Sequence, residues 1–381
     1  MTIEKLLPFG VKDFYPSEVE KLKTLLGEIE KQLSLWGYRE IKLPYIEYKE
    51  LFSKTLKEDL EDGFIFPERE TGKLLALRWD FTPQLVRFVL HTRNKINYPL
   101  RVYYKGETFK SNRQLWEDYS VGFELLGAPS VEADAEIIAT IKTIFDKFSI
   151  KDYHIVIGHR QAYESLKKRI PENLLKEKTF LKNLPWETYT KLYPLKEYKQ
   201  IKDLPEVVKQ DLEKLYGWLK TYDLNTENIF FYPAEVPPRE YYSGLFFSFV
   251  HKRGILARGG RYDKLFKEFG LNIPATGGAI KILNLLEVLD IKATQRRKVY
   301  IIDTTAEKRA GWELAKYFRQ KGIICERDIV PRKVEESIKA ATNKGYNEII
   351  VISEKGNFKT DTEQGNIKVI KPTEVEKIKK N

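Results

Sequence analysis

The stretch ARGGRYDKLFKEFGLNIPATGGAIKILNLLE, residues 257–287, decides how this chain folds. We interpret it as a Gly-Gly-Arg-Tyr-Asp turn, a short helix, a Pro-Ala-Thr-Gly-Gly break and a final apolar helix. A nucleotide held by that last helix would need an arginine, because a planar guanidinium pairs well with phosphate oxygens. At the position on this helix where that arginine would be needed, the sequence has Asn284. The stretch therefore indicates a catalytic scaffold from which the nucleotide chemistry has been removed.

The composition of the whole chain is that of a well-packed protein of two or three domains. It has 381 residues, of which 42% are hydrophobic and 13% aromatic. Neither a membrane-length apolar run nor a signal peptide is present, so we expect a cytoplasmic protein without a membrane partner. The single cysteine, Cys325, fits a reducing cytosol, and one cysteine with four scattered histidines argues against a zinc site. We expect neither metal nor cofactor.

The net charge of +11 has two interpretations. A polyanionic partner such as RNA or a phosphorylated metabolite would explain it. The alternative is a highly charged surface, because 66 basic and 55 acidic residues are interspersed along the chain. No basic block is interleaved with aromatic residues, so we favour the charged surface and do not expect tRNA as a partner.

The order of predicted elements indicates an α+β protein. Ser17 and Glu20 form a capping-box pattern before an amphipathic helix, and residues 39–46 alternate like a strand in which Pro44 indicates either an edge strand or a bend. Strands and helices continue to residue 291, interrupted by a Lys/Leu/Glu-rich helical insertion at about 160–225. From 297 to 381, strands alternate with helices, which predicts a small α/β domain with a largely parallel sheet.

Polar side chains recur near the ends of the predicted strands in the first domain. Asp80 or Glu124 would receive an ammonium or imidazole donor, and tyrosines would pack against a small planar ligand. Taken singly, each residue has a plainer explanation as a solvated carboxylate or a packing tyrosine. Residues with this placement are Asp80, Thr82, Lys110, Glu124, Tyr241, Tyr242 and Tyr262.

Seven segments, taken in order from about Leu7, resemble histidyl-tRNA synthetase. Those of the first part are LPFGVKDFYPSEVEKLKTL, the dimer-forming first motif WGYREIKLPYIEYKELF, and LRWDFTPQLVR, which in that family holds the histidine amino group. Those that follow are YYKGETFK with EDYSVGFELLG, then PSVEADAEIIATI, REYYSGLFFSFV, and GGRYDKL with PATGGAI. The resemblance implies a class II aminoacyl-tRNA synthetase-like antiparallel sheet flanked by helices, and an anticodon-binding-like domain at 297–381.

The departures from that family lie on the ATP side. Lys110 stands for the arginine of the second motif, Pro237 for an arginine of the histidine segment, and Asn284 for the arginine of the third motif. Arg239 and Arg113 are nearby, but their positions are shifted. Adenylate formation depends on cations placed against the phosphates, so we do not expect a working synthetase. The alternatives are a divergent synthetase in which these residues substitute, or a tRNA-binding pseudo-synthetase.

A synthetase scaffold without these arginines is similar to the regulatory subunit of ATP phosphoribosyltransferase. The resemblance implies a chain without catalytic residues that forms a homodimer within a hetero-oligomer, activates a short-form catalytic subunit and mediates feedback by L-histidine in histidine biosynthesis. The histidine would bind in the old pocket or at the junction with the catalytic subunit. Ser120 stands where a glutamine usually contacts the amino acid. The candidate histidine-binding residues are Asp80, Thr82, Lys110, Ser120, Glu124, Tyr241, Tyr242 and Tyr262.

Overall fold

The computed structural model describes residues 7–55, 62–111, 114–166, 193–201, 204–233, 235–289, 297–346, 348–355 and 366–380. The chain divides into two compact units, Met1–Ala293 and Thr294–Asn381. In the described ranges, no helix is long and apolar enough to cross a membrane. Arg113 and residues 167–192 of the predicted helical insertion lie outside the described residues.

Helices and strands alternate irregularly in the first unit and regularly in the second. The helices are α1 (Pro16–Leu35), α2 (Lys49–Thr55), α3 (Phe81–Thr92), α4 (Val131–Lys147), α5 (Arg160–Leu166), α6 (Glu206–Thr221), α7 (Asp263–Glu268), α8 (Ile282–Val288), α9 (Arg309–Gln320), α10 (Val334–Asn343) and α11 (Val375–Lys380). The strands are β1 (Arg39–Glu40), β2 (Ile46–Tyr48), β3 (Ile65–Pro67), β4 (Leu74–Leu77), β5 (Leu100–Phe109), β6 (Glu117–Leu126), β7 (Tyr153–His159), β8 (Tyr193–Pro194), β9 (Ile229–Phe231), β10 (Leu245–His251), β11 (Gly254–Arg261), β12 (Ala275–Lys281), β13 (Lys298–Asp303), β14 (Ile324–Arg327), β15 (Glu348–Ile352) and β16 (Asn366–Ile370).

A nine-stranded sheet organises the first unit. Its order is β1-β5-β6-β12-β11-β10-β7-β9-β8. The pairs from β5 to β7 are antiparallel, whereas β1 with β5 and β7 with β9 are parallel. The predicted α+β class with an antiparallel sheet and flanking helices is confirmed.

The main hydrophobic core lies on one face of this sheet. Side chains alternate between faces along a strand, and Val121, Phe123 and Leu125 of β6 all point to the same side. There they meet the apolar sides of α1, α4, α6 and α8, and each of the three is at most 2% exposed. Because this face is filled by helices, the alternate residues of the same strands are left for the opposite face, where the site lies.

A small antiparallel sheet, ordered β2-β4-β3, stands beside the large one. It is joined to β5 through Arg78, which is 1% exposed. The Arg78 guanidinium donates to the carbonyl oxygens of Glu107 at 2.8 Å and Leu43 at 3.1 Å, and it lies 4.0 Å from the centre of the Phe81 ring. Two of its three nitrogens donate hydrogen bonds whereas the buried Nη2 makes none to the described residues, and the contact with Phe81 positions the start of α3.

The second unit is a four-stranded parallel sheet, ordered β14-β13-β15-β16. Val299 and Ile301 of β13 pack with α9, and the alternate residues Tyr300 and Ile302 pack with α10. Strands covered on both faces become continuous apolar runs, which is why the sequence predicted this α/β unit well. Strand β16 was not predicted.

Four local predictions were wrong. The helix cap of α1 is Tyr15, whose backbone N–H donates to Glu18, and not the pair of Ser17 and Glu20. The predicted strand 39–46 is broken, since β1 ends at Glu40 and β2 begins at Ile46. In the opening stretch, the Gly-Gly-Arg turn is part of strand β11, and the Pro-Ala-Thr-Gly-Gly break continues into strand β12. Strand pairing on both sides of β12 overrides the local turn preference of glycine.

Candidate functional site

Glu124 is at the centre of the polar face of the large sheet. It lies inside β6, rather than at the strand end as predicted, and is 4% exposed. The hydroxyl of Tyr104 donates to its Oε1 at 2.7 Å, and the hydroxyl of Tyr262 donates to its Oε2 at 2.6 Å. Tyr104 comes from β5, and Tyr262 precedes α7. Each carboxylate oxygen keeps a further lone pair for a ligand.

Two glycines make room for this arrangement. Gly277 is paired with Glu124 across β12 and β6, and a Cβ on Gly277 would come within 1.6 Å of the Glu124 Oε2. A Cβ on Gly122 would come within 2.4 Å of the Tyr104 ring. Gly277 of the opening stretch is therefore needed for side-chain space and not for a turn.

Burial controls the charge of Glu124. Desolvation raises the pKa of Glu124 to about 7, and the hydrogen bonds from Tyr262 and Tyr104 only partly oppose it. A carboxyl group with this pKa changes its protonation state near neutral pH. It is suited to accept a hydrogen bond from an imidazole ring, whose own titration falls in the same range.

Asp80 has a different environment. It is the N-cap of α3, where its Oδ1 accepts the backbone N–H of Thr82 at 2.9 Å, and its Oδ2 lies 3.1 Å from the Nε of Arg239. Burial by itself would raise the pKa of Asp80. The nearby Arg239, the Thr82 N–H and Lys110 outweigh burial and hold that pKa below its usual value. Asp80 is therefore an ionised carboxylate that already has a cation.

An aromatic wall joins the two carboxylates. The Tyr241 hydroxyl donates to the Thr82 Oγ1 at 3.3 Å, and the Tyr241 ring centre lies 5.3 Å from that of Tyr242 and 5.9 Å from that of Tyr262. Tyr242 also stacks on Phe246 of β10, with ring centres 5.9 Å apart. Rings at these distances form a rigid surface suited to a small planar ligand.

The remaining two predicted residues lie at the edges of this face. Lys110 directly follows β5, is 5% exposed, and its Nζ lies 4.9 Å from the centre of the Trp79 ring. Ser120 is on β6, four residues before Glu124 and on the same face, and the Nζ of Lys281 lies 3.5 Å from its Oγ. The structure thus brings six predicted residues together around Glu124 and Asp80 and places Lys110 and Ser120 beside them.

Three residues of the site were missed. Tyr104 supplies one of the two hydrogen bonds to Glu124, and the alternation of β5, which places Tyr104 opposite Gly122 of β6, was the available signal. Glu235 is 8% exposed, and desolvation, opposed by the charge of Arg258, raises its pKa to about 7. Glu235 is in the segment between β9 and β10 and Arg258 is on β11, so no local pattern pairs them.

The positions expected to lie on the ATP side, Lys110, Pro237 and Asn284, carry a lysine or an uncharged group. The Asn284 amide donates to the Ile255 carbonyl oxygen at 2.9 Å, so it holds α8 against β11. Pro237 is buried and has no charge to offer a phosphate. Among the described residues, no group of three or more histidine, cysteine, aspartate or glutamate side chains is placed to hold a metal ion. The arrangement of two carboxylates and a wall of tyrosine rings is suited to binding a small ring.

The chain is similar to known proteins over most of its length. Residues 10–184 and 171–285 match the family model described as histidyl-tRNA synthetase. A protein of Geobacter metallireducens called ATP phosphoribosyltransferase regulatory subunit is 29% identical over 92% of this chain and 90% of its own length. One of Aquifex aeolicus with the same name is 31% identical over 90% of this chain and 91% of its own length.

The fold has a solved counterpart. The crystal structure of an ATP phosphoribosyltransferase regulatory subunit/histidyl-tRNA synthetase from Bacillus halodurans matches with a TM-score of 0.75 and 22% identity. The match covers 92% of this chain and 99% of that one. The chain therefore belongs to the histidyl-tRNA synthetase-like family that includes the ATP phosphoribosyltransferase regulatory subunits.

Proposed function

We propose that this chain is a non-catalytic regulatory subunit that activates a short-form ATP phosphoribosyltransferase and mediates its inhibition by L-histidine. The observation that carries the proposal is the contrast between the two sides of one site. Glu124 is held by hydrogen bonds from Tyr104 and Tyr262, and in this proposal it receives a ring. The positions that would hold ATP carry Lys110, Pro237 and Asn284.

The replacement of the three arginines expected in a synthetase is the argument against adenylate formation by this chain. Lys110 keeps a charge but cannot make the two-pronged contact of a guanidinium, and its Nζ faces Trp79. Asn284 is engaged with a backbone carbonyl. Removing one preorganised charge-stabilising group from an active site typically costs about 3 kcal/mol of transition-state stabilisation, and several losses together suppress adenylate formation.

In this proposal, L-histidine binds with its imidazole ring against Glu124 and the wall of Tyr241, Tyr242 and Tyr262. A ring N–H donates to the Glu124 carboxylate, and the two tyrosine hydroxyls already bonded to Glu124 keep it in position. Binding at this receptor would favour one state of the assembly over another, which is the requirement for feedback.

A mixing experiment tests the function. The purified chain is added to a short-form catalytic subunit, and the rate of phosphoribosyl transfer is measured with and without L-histidine. We expect the two proteins to co-elute, the rate to rise, and histidine to lower it. Unchanged rates without co-elution would refute the proposal.

Matched variants separate the pocket from the partner surface. Glu124→Gln should keep the activation and lose most of the histidine sensitivity, whereas Glu268→Gln, at an exposed position of α7, should keep both. Full histidine sensitivity of the Glu124→Gln complex would place the effector elsewhere, at the junction with the catalytic subunit.

A residual synthetase activity is the competing function, because the matching family model is that of histidyl-tRNA synthetase. It predicts histidine-dependent exchange of pyrophosphate into ATP. We expect no exchange above a blank, since the three substitutions affect ATP binding and leave the receptor for the ring in place.

We further propose that the chain forms a homodimer through α1 and the small sheet. Glu47 of β2 faces the protein and binds Arg87 of α3 at 2.6 Å, whereas Ile46 and Tyr48 on the other face are 48% and 46% exposed. An apolar sheet face of this kind is normally covered. Light scattering should give a dimer mass, and Ile46→Lys should lower it to that of a monomer; a wild-type monomer would refute the proposal.

A further inference from the structure

The pairing of Arg239 with Asp80 has a consequence for which ligands the site accepts. Each oxygen of Asp80 already accepts one hydrogen bond, Oδ1 from the Thr82 backbone N–H and Oδ2 from the cationic Arg239 Nε. The Asp80 and Arg239 side chains are 12% and 22% exposed, so water screens the pair only partly. A ligand ammonium group that approaches Asp80 meets a carboxylate whose charge is already balanced.

The backbone around Arg239 is held so that this side chain points inward. The next residue, Glu240, binds Arg160 of α5 at 3.2 Å, on the outer side of the segment. Tyr241 is fixed to Thr82 by its hydroxyl, and the Tyr242 N–H donates to the Arg239 carbonyl oxygen at 3.3 Å. Contacts on both sides of Arg239 therefore fix its approach to Asp80.

We propose that Arg239 is a specificity-determining residue whose guanidinium occupies the position at which Asp80 would receive a ligand's ammonium group. A ring ligand without an ammonium group binds with Arg239 in place. A ligand with an ammonium group must first displace Arg239 from Asp80, and so gains little from this group. The inference rests on the proposed function in one respect, that the imidazole ring binds at Glu124.

Two small probes separate the contribution of an ammonium group to the affinity from the contribution of the imidazole ring. Histamine carries an imidazole ring and an ammonium group without a carboxylate, and 4-methylimidazole carries the ring alone. The quantity measured is the ratio of their affinities for the full-length protein by calorimetry. In the wild-type protein we expect a ratio near one, because Arg239 cancels the attraction of Asp80 for the ammonium group.

Removing Arg239 should raise this ratio. In Arg239→Leu the Asp80 carboxylate is released, and a charge-assisted hydrogen bond to the ammonium group should tighten histamine binding about tenfold. The affinity for 4-methylimidazole should stay the same. Arg239→Gln removes the charge and keeps a polar side chain, so it should move the ratio in the same direction. It tests the inference even if the leucine variant does not fold.

A matched control is available in the second unit. Arg332 binds Asp328 at 3.1 Å, with side chains 24% and 5% exposed, which resembles the Arg239 pair. Arg332→Leu should leave the ratio unchanged. A ratio that stays the same or falls in both Arg239 variants, while 4-methylimidazole still binds, would overturn this inference alone. If 4-methylimidazole binds neither the wild-type protein nor the variants, the receptor at Glu124 is refuted and this inference with it.

Discussion

Replacing Glu124 by glutamine should change how the stability of the protein depends on pH. Glutamine has nearly the same shape, and its amide can still accept one tyrosine hydroxyl and donate to the other. The variant therefore differs from the wild-type protein mainly in having no titratable group at residue 124. Two short hydrogen bonds, 2.7 Å from Tyr104 and 2.6 Å from Tyr262, hold the side chain at this position. We therefore expect glutamine to occupy the same place as glutamate.

The size of the effect follows from the pKa of Glu124. Burial raises the pKa of Glu124 from 4.5 to about 7 in the folded protein. Between these values, the unfolded chain has lost the proton and the folded protein has kept it. The stability contributed by this group is therefore complete below about pH 4.5 and is lost as the pH rises through about 7. At 1.36 kcal/mol for each unit of pKa, the loss is about 3 kcal/mol.

The assay is urea unfolding of the wild-type protein and Glu124→Gln at pH 5 and pH 8. A Trp312→Phe background restricts the fluorescence to the first unit, because the other five of the six tryptophans precede residue 294. Other titrating groups, such as Glu235, contribute equally to the pH dependence of both proteins. Their contributions cancel in the difference between the two free energies of unfolding. We expect the free energy of unfolding of the variant, relative to wild type, to rise by about 3 kcal/mol between the two pH values.

A relative free energy that does not change with pH would show that Glu124 titrates alike in both states, and the reasoning from burial would be wrong. A change of the opposite sign would mean that Glu124 is a stabilised carboxylate in the folded protein. Glu268→Gln, at an exposed position, should show no pH-dependent difference and serves as the control.

Three further outcomes are expected from the packing and the site. Gly277→Ala should destabilise the first unit by about 3 kcal/mol in urea unfolding, because the added Cβ collides with the Glu124 carboxylate, and should abolish 4-methylimidazole binding; wild-type stability would contradict the stated crowding. Arg78→Ala should cost about 3 kcal/mol or more, since it leaves buried carbonyl oxygens without their donor and removes the contact with Phe81; a thermal midpoint equal to that of wild type would disprove this. Asn284→Arg alone should not produce pyrophosphate exchange, as the other substituted positions remain; measurable exchange would show that one arginine is sufficient.

Much of the fold could be predicted from the sequence because its patterns are local. The alternation of strands and helices after residue 297 and the order of the synthetase-like segments predicted elements that the structure contains. Lys110 and Asn284 can also be recognised from the sequence alone as departures from the family's pattern, because the residues on either side of each one resemble the family's motif and so align the position.

The details of the site could not be predicted in the same way. Gly259 and Gly277 have the local properties of turn residues, yet both lie in strands of the central sheet, because pairing with neighbouring strands decides their conformation. The role of Gly277 depends on Glu124, which is far away in sequence and directly opposite in the sheet. Only the register between strands reveals that the glycine makes room for the carboxylate.

The sequence by itself determined the family and the order of the elements, and it predicted that arginines are missing on the ATP side. The tertiary structure alone decided that Tyr104 and Tyr262 bind Glu124 and that Arg239 binds Asp80. The physical reason is that charge and protonation depend on burial and on partners within hydrogen-bonding distance. Those partners are brought together by strand register and by the segment before β10, and residues such as Arg239 and Asp80, 159 positions apart, have no local signal of their contact.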